Sequence, residues 1–192
     1  MSSDHSQALP PAIAAPGMLV HPTADRRLAA EHWLLSTLSR DRRARARLEW
    51  REQGVAMLPL GTLFSAIRIP AAVVLASGRC HSHTDANQFL ATVLDGPVIC
   101  DPRGHRYYAL VPASTPRTWH EVVDDCQVAD VDVLGRGTLL GVPPLDRTEF
   151  EPVAAASYWA VPMESMAVLC RPLTVGRLIA AGCDQLTEEL GA

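Results

Sequence analysis

Hydrophobic positions divide the chain into a helical first part and a more extended middle part. Apolar residues recur at helical spacing over residues 23–38, and Thr23 or Asp25 can cap the start of that helix. A second helical segment spans residues 40–52 and is followed by Gly54, a residue type suited to the C-terminus of a helix. The pattern therefore predicts two consecutive helices before the first strand.

Short apolar runs bounded by Pro and Gly follow Gly54 and predict β-strands. Residues 55–59 and 63–69 are two such runs, which we expect to form a hairpin or two neighbouring strands. Residues 73–75 fit either a helix or a strand. Further strands are predicted at residues 98–100, 107–112 and 158–162, with a strand–turn–strand unit over residues 131–144.

Three more helices are predicted between and after these strands. One runs from Thr84 or Asp85 to about residue 94, and another begins at Thr115 and continues to about residue 124. The last spans residues 173–181 and is expected to end at Gly182. This order predicts an α+β fold, in which a mixed or antiparallel sheet of short strands is flanked by helices.

The length of 192 residues fits one domain, which we place at residues 23–185. Residues 1–22 are rich in Ser, Ala and Pro and show no period, so we expect a disordered N-terminal tail. Residues 186–192 are expected to form a C-terminal tail.

Charge and cysteine content narrow the classes of function. The net charge is −4, and all 17 basic residues are Arg, so any nucleic-acid contact requires a local positive patch. The five Cys contain no C-x-x-C pair, which favours reduced thiols and a cytoplasmic location. The N-terminus lacks the features of a signal peptide, and no apolar run approaches the roughly 18 residues of a membrane helix. We therefore expect no membrane partner.

Residues 131–144 carry the most informative motif, which reads strand, Gly135-Arg136-Gly137 turn, strand and double-proline stop. An aromatic strand follows at residues 158–161, and residues 54–56 fit the opening of the same family. In combination these features resemble the bifunctional primase–polymerase domain, an archaeo-eukaryotic primase-like fold found in plasmid, phage and actinobacterial proteins. The resemblance covers roughly residues 24–182 and implies a primase–polymerase-like sheet.

The resemblance also implies a degenerate active site. Asp132 matches one of three acidic metal ligands of the family, and the other two belong on an upstream strand, where this chain has Arg68 and Pro70. A guanidinium repels a divalent cation, and Pro offers no ligand. We therefore expect Asp132 to be a catalytic remnant and expect no cofactor, with Mg²⁺ or Mn²⁺ required only if the site is active. Alternatively, Asp132 only binds turn amides or Arg136.

Several basic residues are candidates for binding a nucleotide in the former active cleft. The family has a phosphate-contacting His after a Gly turn, and direct alignment puts Tyr107 at that place, with His105 two residues earlier. Arg103, His105 and Arg106 suit an anion, because a Gly turn with two Arg can hold a phosphate, although an exposed polar turn is the simpler explanation. The predicted nucleotide-binding set consists of Arg68, Arg103, His105 and Arg136.

Residues 40–51 hold the densest positive charge, and Arg43 and Arg47 are the candidates there for contact with nucleic acid. Trp50 is flanked by arginines and could stack on a base, whereas a solvated helix face is the simpler interpretation. Cys80, His81 and His83 resemble a zinc cluster together with Cys100, but the spacing is unusual for zinc and a polar loop is favoured.

Three functions follow from these features. The first is a catalytically degenerate primase–polymerase-like domain with an accessory or regulatory role, able to bind nucleotide, single-stranded nucleic acid or a primer–template. The second is a protein-interaction module with a vestigial cleft, which binds a protein partner. The third is an active metal-dependent DNA primase or polymerase, that is, a nucleotidyltransferase.

Overall fold

The computed structural model describes residues 12–15, 18–20, 22–119 and 130–191. Within these ranges the protein is an α+β fold, as predicted. The helices are α1 Pro22–Leu35, α2 Arg40–Gln53, α3 Ala71–Gly78, α4 His83–Val93, α5 Thr115–Thr118 and α6 Pro172–Gly191. The strands are β1 Ala12–Ala15, β2 Met18–Val20, β3 Ala56–Pro59, β4 Phe64–Pro70, β5 Val98–Asp101, β6 Arg106–Pro112, β7 Asp132–Leu134, β8 Leu139–Val142 and β9 Tyr158–Val161.

A five-stranded antiparallel sheet in the order β7-β4-β6-β5-β9 forms the centre of the fold. Its middle strands carry apolar side chains on both faces because both faces are covered. One face packs against α3, α4 and α6 through residues such as Ile67, Tyr107 and Tyr158. The other packs against α1, α2 and the β3–β8 pair through Phe64 and Trp159, among others.

Strands β3 and β8 form a separate two-stranded ribbon. The expectation that residues 55–59 and 63–69 are hairpin partners or neighbours is therefore wrong, since β3 pairs with β8 and β4 pairs with β6 and β7. The 131–144 unit is likewise not a hairpin: β7 joins the central sheet, β8 joins the ribbon, and the turn at residues 135–138 carries the chain from one to the other. This arrangement opens a cleft between the ribbon and the sheet.

Helix α6 extends well beyond its predicted end at Gly182. A Cβ atom at residue 182 would lie 2.3 Å from the backbone oxygen of Val73, so this glycine permits close contact between α6 and α3. Residues 186–191, which we expected to form a tail, are the last turns of this helix. Within the predicted N-terminal tail, β1 and β2 form an antiparallel pair.

Other predictions have mixed outcomes. Residues 73–75 lie in a helix, α3. Helix α5 ends at Thr118, and its predicted continuation to residue 124 lies outside the described residues.

Cys80, Cys100 and Cys170 are free thiols, whereas Cys183 is disulfide-bonded, so the expectation of reduced thiols is wrong there. None of the described helices combines the length and apolar character needed to cross a bilayer.

Candidate functional site

The candidate site lies where β4 runs between β6 and β7. In the strand registers Arg68 is opposite Asp132 on one side and opposite Tyr108 on the other. Directly opposite residues of neighbouring antiparallel strands point to the same face of the sheet. The three side chains therefore meet on the face that carries the ribbon.

A network of ion pairs, which we call the Arg68 cluster, occupies this position and consists of Arg68, Arg106, Asp130 and Asp132. The Nη2 atom of Arg68 donates to Asp132 Oδ2 at 2.9 Å and to Asp130 Oδ1 at 3.0 Å. Arg106 Nη2 donates to the second oxygen of Asp130 at 3.1 Å. Two guanidinium groups thus neutralise two carboxylates.

Burial within the cluster is uneven. The Arg68 side chain is 21% exposed, whereas those of Asp132 and Asp130 are 54% and 63% exposed. The Nε atom of Arg68 is buried and has no hydrogen-bond partner in the described part of the chain. Ion pairs of such intermediate exposure contribute on the order of 1 kcal/mol each, but removing the buried cation leaves two carboxylates side by side.

The donor set of the cluster does not fit a divalent metal ion. Both carboxylates already accept charge-assisted hydrogen bonds from arginine, and a cation bound by Asp132 would have to displace the Arg68 guanidinium at 2.9 Å. Across the described ranges, His, Cys, Asp and Glu nowhere form a group of three that could hold a metal.

Beside the cluster lies the cleft between the ribbon and the sheet, with a volume of about 360 Å³. Tyr108 contributes its ring and hydroxyl, and burial, followed by the nearby Asp101 carboxylate, raises the pKa of that hydroxyl above its usual range. The hydroxyl is therefore protonated at neutral pH and available as a donor. The other described lining residues are Val55, Met57, Arg68, Ile99, Asp101, Leu134, Thr138, Leu139, Leu140, Gly141 and Ser157.

The remaining candidates for nucleotide binding do not join this cleft. Arg103 donates from Nη2 to the carbonyl oxygen of Ala154 at 2.8 Å. His105 has a φ of 52° in the β5–β6 turn, and its carbonyl oxygen accepts from the backbone N–H of Ala71. Arg136 is exposed in the turn after β7 and does not line the cleft. Of the candidates named from the sequence, the structure brings Arg68, Arg106 and Asp132 into one cluster, which Arg106 joins through Asp130.

The predicted nucleic-acid residues on α2 have local partners. Arg43 Nε donates to the carbonyl oxygen of Leu38 at 3.1 Å, and Arg47 Nε pairs with Glu31 at 2.8 Å. Trp50 is only 8% exposed, and its indole N–H donates to Val142 O at 2.8 Å. It is therefore a core residue and presents no ring for stacking on a base.

A scan against protein-family models and searches of curated proteins and solved structures found no match to this chain. Function must therefore be inferred from the chemistry of the Arg68 cluster and of the surfaces beside it.

Asp130 is the residue of the site that sequence reasoning missed. It lies two positions before Asp132, in the segment that precedes β7. Residues at i and i+2 of an extended segment point to the same side. The Asp130-Val131-Asp132 spacing was thus the available signal for a second carboxylate in the site.

His83 and Cys100, for which a zinc site was the less favoured interpretation, lie in a partly buried polar cluster on the opposite face of the sheet. His83 Nδ1 lies 3.0 Å from the Tyr107 hydroxyl and 3.8 Å from Cys100 Sγ. Burial raises the pKa of Cys100 to about 11, so the thiol keeps its proton and is a poor metal ligand. Burial also raises the pKa of Tyr107, so its hydroxyl keeps its proton beside His83 Nδ1.

His83 should make folding stability depend on pH. Burial, with repulsion from His105 as the smaller cause, lowers the pKa of His83 below its usual 6.5. The unfolded chain therefore binds a proton at His83 more readily, and stability falls as the pH drops below that value. We expect His83→Gln to reduce the loss of unfolding free energy between about pH 7 and pH 5.5, measured by urea denaturation. An unchanged loss would contradict this assignment.

Proposed function

We propose that this chain is a catalytically inactive primase–polymerase-like domain with an accessory role. The observation that carries the proposal is the ion pair of Arg68 with Asp132, joined by Asp130. Asp132 is the residue that matches a metal ligand of the family, and Arg68 stands on the neighbouring strand where an acid would be. A guanidinium in that place supplies positive charge permanently and without a metal.

The loss of metal affinity removes the basis of nucleotidyl transfer. Such transfer depends on divalent cations that neutralise the triphosphate and activate the attacking hydroxyl. Arg68 can neutralise a carboxylate, but it cannot lower the pKa of a hydroxyl by coordination. The cleft beside Tyr108 is large enough for a small ligand, so weak binding of a nucleotide there is compatible with lost chemistry.

A primer-extension assay tests this proposal. We expect the full chain to extend no labelled primer on a DNA template, with either Mg²⁺ or Mn²⁺ at about ten millimolar, and to synthesise no primer from nucleotides. Asp132→Asn serves as the matched control, because it removes the candidate ligand at an exposed position. Extension by the unaltered chain that disappears in Asp132→Asn would refute the proposal and restore the active enzyme.

A further inference from the structure

A groove separate from the Arg68 cluster lies between α2 and β3. It has a volume of about 440 Å³ and is lined by Leu38, Arg42, Arg45, Ala46, Glu49 and Met57. Side chains alternate along β3, so Ala56 and Leu58 are buried while Met57 is 42% exposed and faces outward. The floor of the groove is therefore aliphatic, and its wall on α2 is charged.

The charge of this wall is positive in a chain that is negative overall. Of the described residues that line the groove, Arg42 and Arg45 are basic and Glu49 is acidic, whereas the net charge of the whole chain is −4. The Arg42 side chain makes no hydrogen bond or ion pair with any residue that the structure describes. Arg45 pairs only with Glu49 in the same helix, at 3.3 Å, and remains 81% exposed. Both guanidinium groups are thus available to a carboxylate outside the chain.

The chemistry of the groove favours a peptide over a nucleic acid. Sites for single-stranded nucleic acid combine positive charge with aromatic rings on which bases stack. None of the described residues that line this groove is aromatic, and Trp50 of the same helix is buried. Aliphatic and methionine side chains suit the apolar face of a helix or strand and adapt to its shape.

We propose that the groove between α2 and β3 docks an acidic amphipathic segment of a partner protein. Its carboxylates would pair with Arg42 and Arg45, and an apolar side chain would pack on the exposed Met57, next to the buried Leu38 and Ala46. The inference goes beyond the proposed function, because the groove contains none of the four residues of the Arg68 cluster.

The test is a titration of the full chain with a synthetic peptide, followed by NMR of the side-chain methyl groups. The probe is a helical peptide of roughly twelve residues that alternates Leu on one face with Glu and Asp on the other. A second peptide with every Leu replaced by Ser keeps the charge and removes the apolar face. An oligothymidylate of similar charge represents nucleic acid. The signals to follow are the methyl groups of Leu38, Ala46 and Met57.

We expect the Leu-containing peptide to shift these three methyl signals and the Ser-containing peptide to have little effect. Charge reversal in the double variant Arg42→Glu/Arg45→Glu should weaken binding about tenfold. Arg177→Glu, which changes an exposed arginine on α6, should leave binding unchanged. The proposal fails if the methyl signals do not move at about one millimolar peptide. It also fails if the oligothymidylate shifts them as strongly, which would make the groove a nucleic-acid surface. Either failure would leave the prediction for primer extension unchanged, because the groove contains no residue of the Arg68 cluster.

Discussion

Replacing Arg68 by Met is expected to lower the free energy of unfolding by about 2 kcal/mol. Met preserves most of the aliphatic volume but removes the cation between Asp130 and Asp132, whose oxygens lie 3.0 and 2.9 Å from Nη2. The two carboxylates would then repel each other across a partly buried space. Urea denaturation at neutral pH and low salt measures the change.

Two controls separate this effect from the loss of packing alone. Arg136→Met alters an exposed arginine in a turn, and should change stability by less than about 0.5 kcal/mol. A double-mutant cycle of Arg68→Met with Asp132→Asn should give a coupling energy of about 1 kcal/mol, because the Asn variant relieves the repulsion. A coupling energy near zero would mean that the ion pair contributes nothing to stability.

The second large effect is expected at Gly182 on α6. Replacing a mid-helix Gly by Ala ordinarily stabilises a helix by about 1 kcal/mol. Here the added Cβ would lie 2.3 Å from Val73 O and 2.8 Å from a methyl carbon of Val73, which forces α6 away from α3. We therefore expect Gly182→Ala to destabilise the protein by about 2–3 kcal/mol, measured by urea denaturation.

Gly191→Ala is the matched control for this change. Gly191 ends the same helix, and a Cβ there would meet nothing within 4 Å. Its substitution should leave stability within about 0.5 kcal/mol of the original value. A gain in stability in Gly182→Ala would contradict the close contact between α6 and α3.

Local signals were sufficient to predict most of the helices and strands. Helix α2 ends at Gly54, which has a φ of 74°, as the pattern predicted. The pairing of strands was not predictable in the same way, since residues 55–59 and 63–69 are adjacent in sequence but belong to different sheets. Burial explains why the two strands belong to different sheets. Most of β4 is buried on both faces in the central sheet, whereas Met57 of β3 faces outward.

The site was only partly predictable, because it depends on which strands lie side by side. The alignment placed Arg68 where a metal-binding acid was expected, and the register puts it directly opposite Asp132. In the sequence, the bridge from Arg68 to Asp130 is indicated only by the Asp130-Val131-Asp132 spacing, since the contact crosses between β4 and the residues preceding β7. Arg103, His105 and Arg136 lie in turns and are not among the described residues that line the cleft.

A titration with Mn²⁺, followed by the electron paramagnetic resonance signal of the free ion, decides whether Arg68 has replaced the metal ion beside Asp132. If Arg68 occupies the place of the metal, the unaltered chain and Asp132→Asn should give the same titration curve, with no site tighter than about one millimolar. The Arg68→Ser variant, which frees Asp132 and one oxygen of Asp130 while Arg106 still holds the other, should take up more Mn²⁺ than either. Mn²⁺ binding by the unaltered chain that is lost in Asp132→Asn would contradict the account and show that Asp132 remains a metal ligand.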